Sequence, residues 1–344
     1  MPSSAPFEAT APSVQLSRIW KSFYRLLSVC SWLTLAGLVA LWGILRAGDS
    51  WAPATFLMFG PRWLFIVPPL VLLPIALAFR RRALVAVVPA LIVATGPVMG
   101  FCIPWARLGG HNGDNLRVRV LTCNLHHAHV AAESLDRLIG SFQPDVVVLQ
   151  EWRNPGQLAG FREPPWNTHR KSGLFLASRY PIRRAERLSA NSFDERGLVG
   201  RYELDAGGKT LTVFSLHFAS PREALAKTAS GDRGGWDDIE ANTSIRWSQS
   251  RYVAEVAGRE HGPVVVAGDF NTAPESTIFR NVWSGYENAF SAAGWGWGYS
   301  FVIKRTAVRI DHILAGNGGR AIRSSVGPDI GSPHRPVVAD IIWP

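Results

Sequence analysis

Three uninterrupted apolar runs fill the first third of the chain, and they constrain its fold more than anything that follows. "LLSVCSWLTLAGLVALWGIL" runs from Leu26 to Leu45 without a charge, "WLFIVPPLVLLPIALAF" from Trp63 to Phe79, and "ALVAVVPALIVATGPVMGFCIPW" from Ala83 to Trp105. A helix needs roughly 20 apolar residues to cross a bilayer, with about 17–25 tolerated. The sequence therefore predicts three transmembrane helices, at about 26–45, 61–79 and 83–105. The prolines of the second run would break a soluble helix but are tolerated in a membrane bundle, where neighbours satisfy the freed backbone groups. A cleaved signal peptide explains only one run, and no cleavage site stands out. A transporter is disfavoured, since the spans carry no central acidic residue.

Flanking cations orient the spans. Arg18, Lys21 and Arg25 precede the first, and Arg80, Arg81 and Arg82 separate the second from the third. The opposite loop holds only Arg46 and Arg62, with Asp49. Cytoplasmic loops carry the excess of Lys and Arg, so the N-terminus and the triple-arginine loop are expected inside. Three crossings then put everything after Trp105 outside. This also accounts for the charge. The chain is +10 overall, but residues 1–110 carry +7 and residues 111–344 only +3. Most of the excess belongs to membrane topology, which argues against the strong nonspecific DNA binding that scales with neutralised phosphates. Cys30 and Cys102 lie in apolar runs and Cys123 is alone in the remainder, so no disulfide is expected within the soluble part.

"RLGGHNGDN", 107–115, reads as a linker, dividing a membrane region (1–110) from a soluble domain (111–344). In the latter, "RVRVLTCNL" alternates as a strand does. "AAESLDRLIGSF" places Leu135, Leu138, Ile139 and Phe142 on one helical face, and "PDVVVLQEW" reads as a strand buried on both sides. Further strands are expected in "SGLFLASRYPI", "LVGRYELDA", "KTLTVFSLHF", "GPVVVAGDF", "RIDHILA" and "RPVVADIIW", with one long helix around "IEANTSIRWSQSRYVAEVAG". This is an α/β pattern of two packed sheets covered by helices.

Polar residues cluster where these strands stop: Asn124, Glu151, His217, Asp269 with Asn271, and finally His334. Asp311 sits among Ile310, Ile313 and Leu314, where a buried carboxylate needs a partner. Singly each is ordinary; together they suit phosphoester hydrolysis. Glu151 is the best ligand for a hard divalent cation, with Asn124 as a neutral oxygen beside it. Asp269 and Asn271 are placed to orient an attacking water, His217 and Asn271 to donate to phosphoryl oxygens, and Asp311 to hold His334 in one tautomer and charge state.

"LTCNL", "PDVVVLQE", "LASRYPI", "FSLHF", "VVVAGDFN", "RIDHIL" and "SPHRPV", in that order, resemble the endonuclease/exonuclease/phosphatase superfamily, the metal-dependent group similar to pancreatic deoxyribonuclease, abasic-site endonucleases, neutral sphingomyelinases and inositol-polyphosphate 5-phosphatases. The resemblance covers about 116–344. It implies a four-layer α/β sandwich with the site at one edge of both sheets, and a Mg²⁺ (or Mn²⁺) cofactor near Asn124 and Glu151. It also implies nucleophile and phosphate contacts from Asp269 and Asn271, a scissile-phosphate contact from His217, and a catalytic His334 paired with Asp311. One departure is plain. The family's Ser-Asp-His is here Ser332-Pro333-His334, which removes an anion near the metal. The expected function is a membrane-tethered, outward-facing phosphoester hydrolase whose substrate is a lipid headgroup or a nucleic acid and whose other partner is the bilayer. The alternative is a non-catalytic membrane binding or sensor module with a degenerate site.

Three further features bear on substrate. "SAAGWGWGYSF", 291–301, offers Trp295, Trp297 and Tyr299 either to a ligand or to the protein's own packing. "TASGDRGGWDD", 228–238, reads as a loop bordering the cleft. Arg179 matches a position that is usually basic in the family.

Overall fold

The computed structural model describes residues 12–105, 116–127, 130–152, 155–189 and 197–344. The expected linker at 107–115 lies outside the described residues. The described residues form two compact units, one within Met1–Gly43 and Trp63–Met99, the other within Ile44–Arg62 and Gly100–Pro344. The loop between the first two apolar runs thus belongs with the unit that carries the strands.

The N-terminal helices are α1 (Pro12–Leu45), α2 (Ala52–Phe59), α3 (Val67–Phe79) and α4 (Leu84–Val93). With their lead-in turns, three stretches are long and apolar enough to cross a membrane: Arg18–Leu45, Arg62–Phe79 and Arg81–Val98. Leu27, Ala76, Ala83 and Val87 pack together, but Leu26, Leu33, Leu70, Val85 and Ile92 are exposed. Such apolar flanks suit an apolar solvent. The third helix ends earlier than expected. Pro97 lies in a final π-turn, Ala94–Val98, and Gly100 then takes φ +81°, a left-handed conformation open to glycine. Cys102 pairs instead with Gly296 in an isolated β-bridge.

The second unit continues with β1 (Leu116–Asn124), α5 (Ala132–Phe142), β2 (Val146–Gln150), β3 (Asn167–Lys171), β4 (Leu174–Ser178), β5 (Ile182–Leu188), β6 (Leu198–Ala206), β7 (Lys209–His217), α6 (Arg222–Ala229), α7 (Gly234–Ala257), β8 (Val264–Asp269), α8 (Thr277–Val282), β9 (Glu287–Asn288), α9 (Ala289–Ala293), β10 (Phe301–Ile303), β11 (Thr306–Val308), β12 (Asp311–Gly316), β13 (Arg320–Val326) and β14 (Val337–Trp343). Two six-stranded sheets form, in the orders β13-β14-β1-β2-β4-β3 and β5-β6-β7-β8-β12-β9. Each has one parallel pair, β1 with β2 and β7 with β8, and is otherwise antiparallel.

Alternation along the central strands sorts their side chains into layers. Val118, Val120, Val146, Val148, Val213, Val265, Ile313 and Ile341 fill the space between the sheets. Leu121, Cys123, Val147 and Leu149 face outward onto Leu135 and Leu138 of α5. Phe214, Leu216, Val264 and Val266 face the other way, onto Val253 and Ala257 of α7. This is the expected four-layer α/β sandwich. The expected loop at 228–238 is mostly helix, since α6 runs to Ala229 and α7 begins at Gly234. A Cβ on Gly235 would lie 2.4 Å from Thr228 Oγ1, so this glycine serves the close approach of α6 and α7.

Candidate active site

The sheets bring their polar ends together. Asn124 closes β1 and Glu151 follows β2; His217 closes β7 and Asp269 closes β8. Both pairs are parallel, so their carboxyl ends lie at the same edge, the place where open α/β sheets characteristically present ligand-binding groups. His217 is directly opposite Asp269. Asp311, the first residue of antiparallel β12, lies opposite Asp269 on its other side. Gly268 makes this junction possible. Its φ is +144°, and a Cβ there would sit 2.0 Å from the Leu216 carbonyl oxygen. Glu151 and Asn271, both non-glycine, hold positive φ of 50° and 47°, conformations that cost energy and concentrate at functional sites.

His334 Nδ1 donates to Asp311 Oδ2 at 2.8 Å, which leaves Nε2 facing Asp269 Oδ2 at 3.9 Å. Burial opposes charging of this imidazole, but the charges of Asp311 and Asp269 and the Asp311 hydrogen bond outweigh it and lift its pKa to about 9. Asp269 is pushed the other way from an ordinary carboxylate, up to about 6, by burial and by the Asp311 charge beside it. Its Oδ1 accepts from the Asn271 amide at 2.9 Å and its Oδ2 from Asn124 Nδ2 at 3.0 Å. The site therefore pairs a cationic imidazole with a carboxylate poised near neutrality, the separation that acid–base chemistry uses.

Glu151 has a different environment. Its side chain is 20% exposed. Burial raises its pKa, but His217, the Asn124 hydrogen bond, His126 and His127 together lower it below the ordinary value, so it is ionised. Asn124 Nδ2 donates to its Oε1 at 2.8 Å, His217 Nε2 lies 3.2 Å from the same oxygen, and His127 Nε2 lies 3.5 Å from Oε2. One amide thus bridges two carboxylates, while Asn124 Oδ1 accepts from the His126 amide at 2.8 Å. An accessible, ionised carboxylate is a fit donor for a hard cation that keeps part of its water shell. Asp269, Asp311 and His334 also bring ligand atoms within 4.8 Å of one another. All three are buried, however, and a cation there would compete with the proton that His334 holds between two carboxylates.

All seven sequence-derived residues meet at this edge. Asn271 is held from behind, its Nδ2 donating to the Phe218 carbonyl at 2.9 Å, which leaves one amide hydrogen free of that bond. Ser332 Oγ donates to the Asn124 carbonyl at 2.7 Å and accepts from the His334 amide at 3.1 Å, so it ties the last loop to β1. Sequence reasoning missed His126 and His127. The His126 ring stacks on that of His334 with centroids 6.2 Å apart, and Arg222 Nη1 donates to its Nε2 at 2.8 Å. The signal was a histidine pair immediately after the first polar strand end. Arg179 lies elsewhere, over the Trp166 ring. Trp295 and Trp297 pack edge-on against Phe101, and Trp297 stacks on Tyr299.

The fold has counterparts among solved structures. D. rerio TDP2 complexed with single strand DNA product superposes with a TM-score of 0.52 at 15% identity, covering 65% of this chain and 98% of that one. Humanized D. rerio TDP2 gives the same values. TDP2 from C. elegans gives 0.52 at 16% identity, covering 77% and 89%. At such identities the likeness is one of fold. No curated protein matches the chain. The sequence pattern of the Endonuclease/Exonuclease/phosphatase family matches residues 121–334, from within β1 to His334 itself, and the chain belongs to that family.

Proposed function

We propose that this chain is a membrane-tethered, divalent-cation-dependent phosphoester hydrolase acting on the outer side of the membrane. The observation that carries the chemistry is the meeting of Glu151, Asp269 and the Asp311–His334 pair at the carboxyl edge of both sheets. Asp269, near neutrality, accepts a proton from the attacking water. The water oxygen bonds to phosphorus as the ester P–O bond breaks, and the leaving alkoxide takes a proton from solvent. His334, charged and with Nε2 free of Asp311, donates a hydrogen bond to the developing negative charge on the phosphoryl group. His217 and the remaining Asn271 amide hydrogen supply further donors. Asn124 holds Glu151 and Asp269 at a set separation. Glu151 would hold the Mg²⁺ or Mn²⁺, which supplies charge neutralisation at the phosphate. Residues 111–344 contain every one of these groups.

Connectivity supports the tether. The described residues of 44–62 and 100–344 fold as one unit, which supports a reading with both on one side of the membrane and an even number of crossings in the two apolar helices between them. The cations at Arg18, Lys21, Arg25 and Arg80–Arg82 support a cytoplasmic location for the opposite side. Nucleic-acid phosphodiesters are one substrate class to assay, because a structural neighbour was solved with a single strand DNA product. Lipid headgroups are the other, because of the apolar helices.

The test uses the full chain in detergent against both classes. Turnover that requires Mg²⁺ or Mn²⁺, stops with chelator and is lost in His334→Ala is expected. A folded protein inert toward both classes with either ion would instead favour a binding module. For topology, a reporter fused after Pro344 that is active only in the cytoplasm would overturn the outward orientation.

A further inference from the structure

Arg246, in the middle of α7, lies directly behind the catalytic loop and is fully buried. Its Nη1 donates to the Asn271 carbonyl at 3.2 Å and to Thr272 Oγ1 at 3.4 Å. Its Nε donates to Asn242 Oδ1 at 2.8 Å. Its Nη2 pairs with Asp49 Oδ1 at 2.7 Å, with both side chains at 0% exposure. Among the described residues, Asp49 is the only carboxylate ion-paired with this guanidinium.

Asp49 belongs to the loop between the first two apolar helices, and that loop is built to present it. Its φ is +60°, its amide donates to Thr55 Oγ1 at 2.8 Å, and its carbonyl accepts from Trp247 Nε1 at 2.8 Å. The Thr277 amide donates to the neighbouring Gly48 carbonyl at 2.9 Å. Ala52 of α2 is buried with Ala224 and Ile239, so apolar packing clamps the loop as well. A buried cation needs a buried counter-charge, and here the counter-charge comes from outside the sandwich.

We propose that Asp49 is a positioning residue of the hydrolytic site: it neutralises Arg246, which in turn holds the Asn271 carbonyl and the Thr272 hydroxyl. The catalytic body is therefore incomplete without the loop between the first two apolar helices. The effect on turnover rests on the hydrolase reading above, whereas the effect on the Asn271 segment does not.

The experiment compares the full chain in detergent with Asp49→Asn and with Asp49→Asn/Arg246→Met, which leaves no stranded charge. Amide hydrogen exchange is followed at 270–273 and, as a remote reference, in β4. In Asp49→Asn, exchange is expected to quicken at 270–273 and stay unchanged in β4. The kcat should fall roughly ten- to a hundredfold, as misplaced catalytic groups do, with KM within about twofold. The double variant should regain thermal stability without regaining kcat. If Asp49→Asn does not fold, the double variant carries the test. Unchanged exchange at 270–273, or a double variant with full kcat, would overturn the proposal. If the unmodified chain turns over nothing, the hydrolase reading fails and exchange alone decides this one.

Discussion

The hydrogen bond from His334 Nδ1 to Asp311 Oδ2, 2.8 Å long and closed off from solvent, sets the charge state of the site. Burial works against the imidazolium, and Asp311 and Asp269 overcome it, raising the pKa to about 9. A raised histidine keeps its proton below that value and loses it as pH climbs through it. The kcat/KM profile is therefore expected to fall on an alkaline limb near pH 9. In Asp311→Asn the charge is gone while the shape is kept, and the limb should move acidward by at least about one pH unit. His334→Ala should cost about 10²–10⁴ in kcat, the usual scale for a positioned acid or base. A limb that stays in place in Asp311→Asn would detach it from His334.

Asn124 Nδ2 touches Glu151 Oε1 and Asp269 Oδ2 at 2.8 and 3.0 Å, so its neutrality keeps two carboxylates compatible. Asn124→Asp puts a third acid between them. In chelator the variant should unfold at a lower temperature than the unmodified chain, through like-charge repulsion, and millimolar Mg²⁺ should return most of the loss. The measurement is a thermal midpoint with and without Mg²⁺. A midpoint indifferent to Mg²⁺ would remove Glu151 and its neighbours from the cation site.

The residues that meet at the sheet edge were legible because polar groups stand out in apolar surroundings. A carboxylate such as Asp311 inside an apolar strand demands a partner, and polar groups at the ends of buried runs mark one sheet edge. The three apolar helices were legible from length alone. Relations set only by tertiary packing were hidden. Asn124 looked like an oxygen ligand, yet the nearness of two carboxylates turns its nitrogen toward them. The glycines of "DRGGW" looked like loop, yet Gly235 lets α6 and α7 touch. Asp49 looked like an ordinary loop charge. Its one visible oddity was being the sole acid between the first two spans, and its partner lies 197 residues away.

Pro333 stands where the family usually has aspartate, and its carbonyl accepts from the Val302 amide at 2.8 Å. That bond uses main chain only, so Pro333→Asp keeps it while adding an anion next to His334. The half-saturating Mg²⁺ concentration for turnover should drop, by roughly tenfold for about 1.4 kcal/mol of added attraction. The kcat should change less. An unchanged Mg²⁺ requirement would show that the position does not face the cation.

His312 gives a stability signature separate from catalysis. Its neutral ring donates from Nε2 to the Thr272 carbonyl at 2.9 Å, and Nδ1 accepts from Asn288 Nδ2 at 3.1 Å. Asn288 is held in that orientation because its Oδ1 caps α9 at the Ser291 amide. A second ring proton would meet a donor. Burial foremost, and then the Arg309 charge, depress the pKa to about 3. Between about 6.5 and 3 the unfolded chain therefore binds a proton that the folded chain refuses, and stability falls as pH falls through that window. The slope attributable to this group is at most about 1.4 kcal/mol per pH unit. The full chain in detergent should show a shallower acid destabilisation as His312→Gln, which cannot titrate, even if that variant starts from a lower midpoint at pH 7. Parallel stability–pH curves for the two proteins would assign the acid sensitivity to other groups.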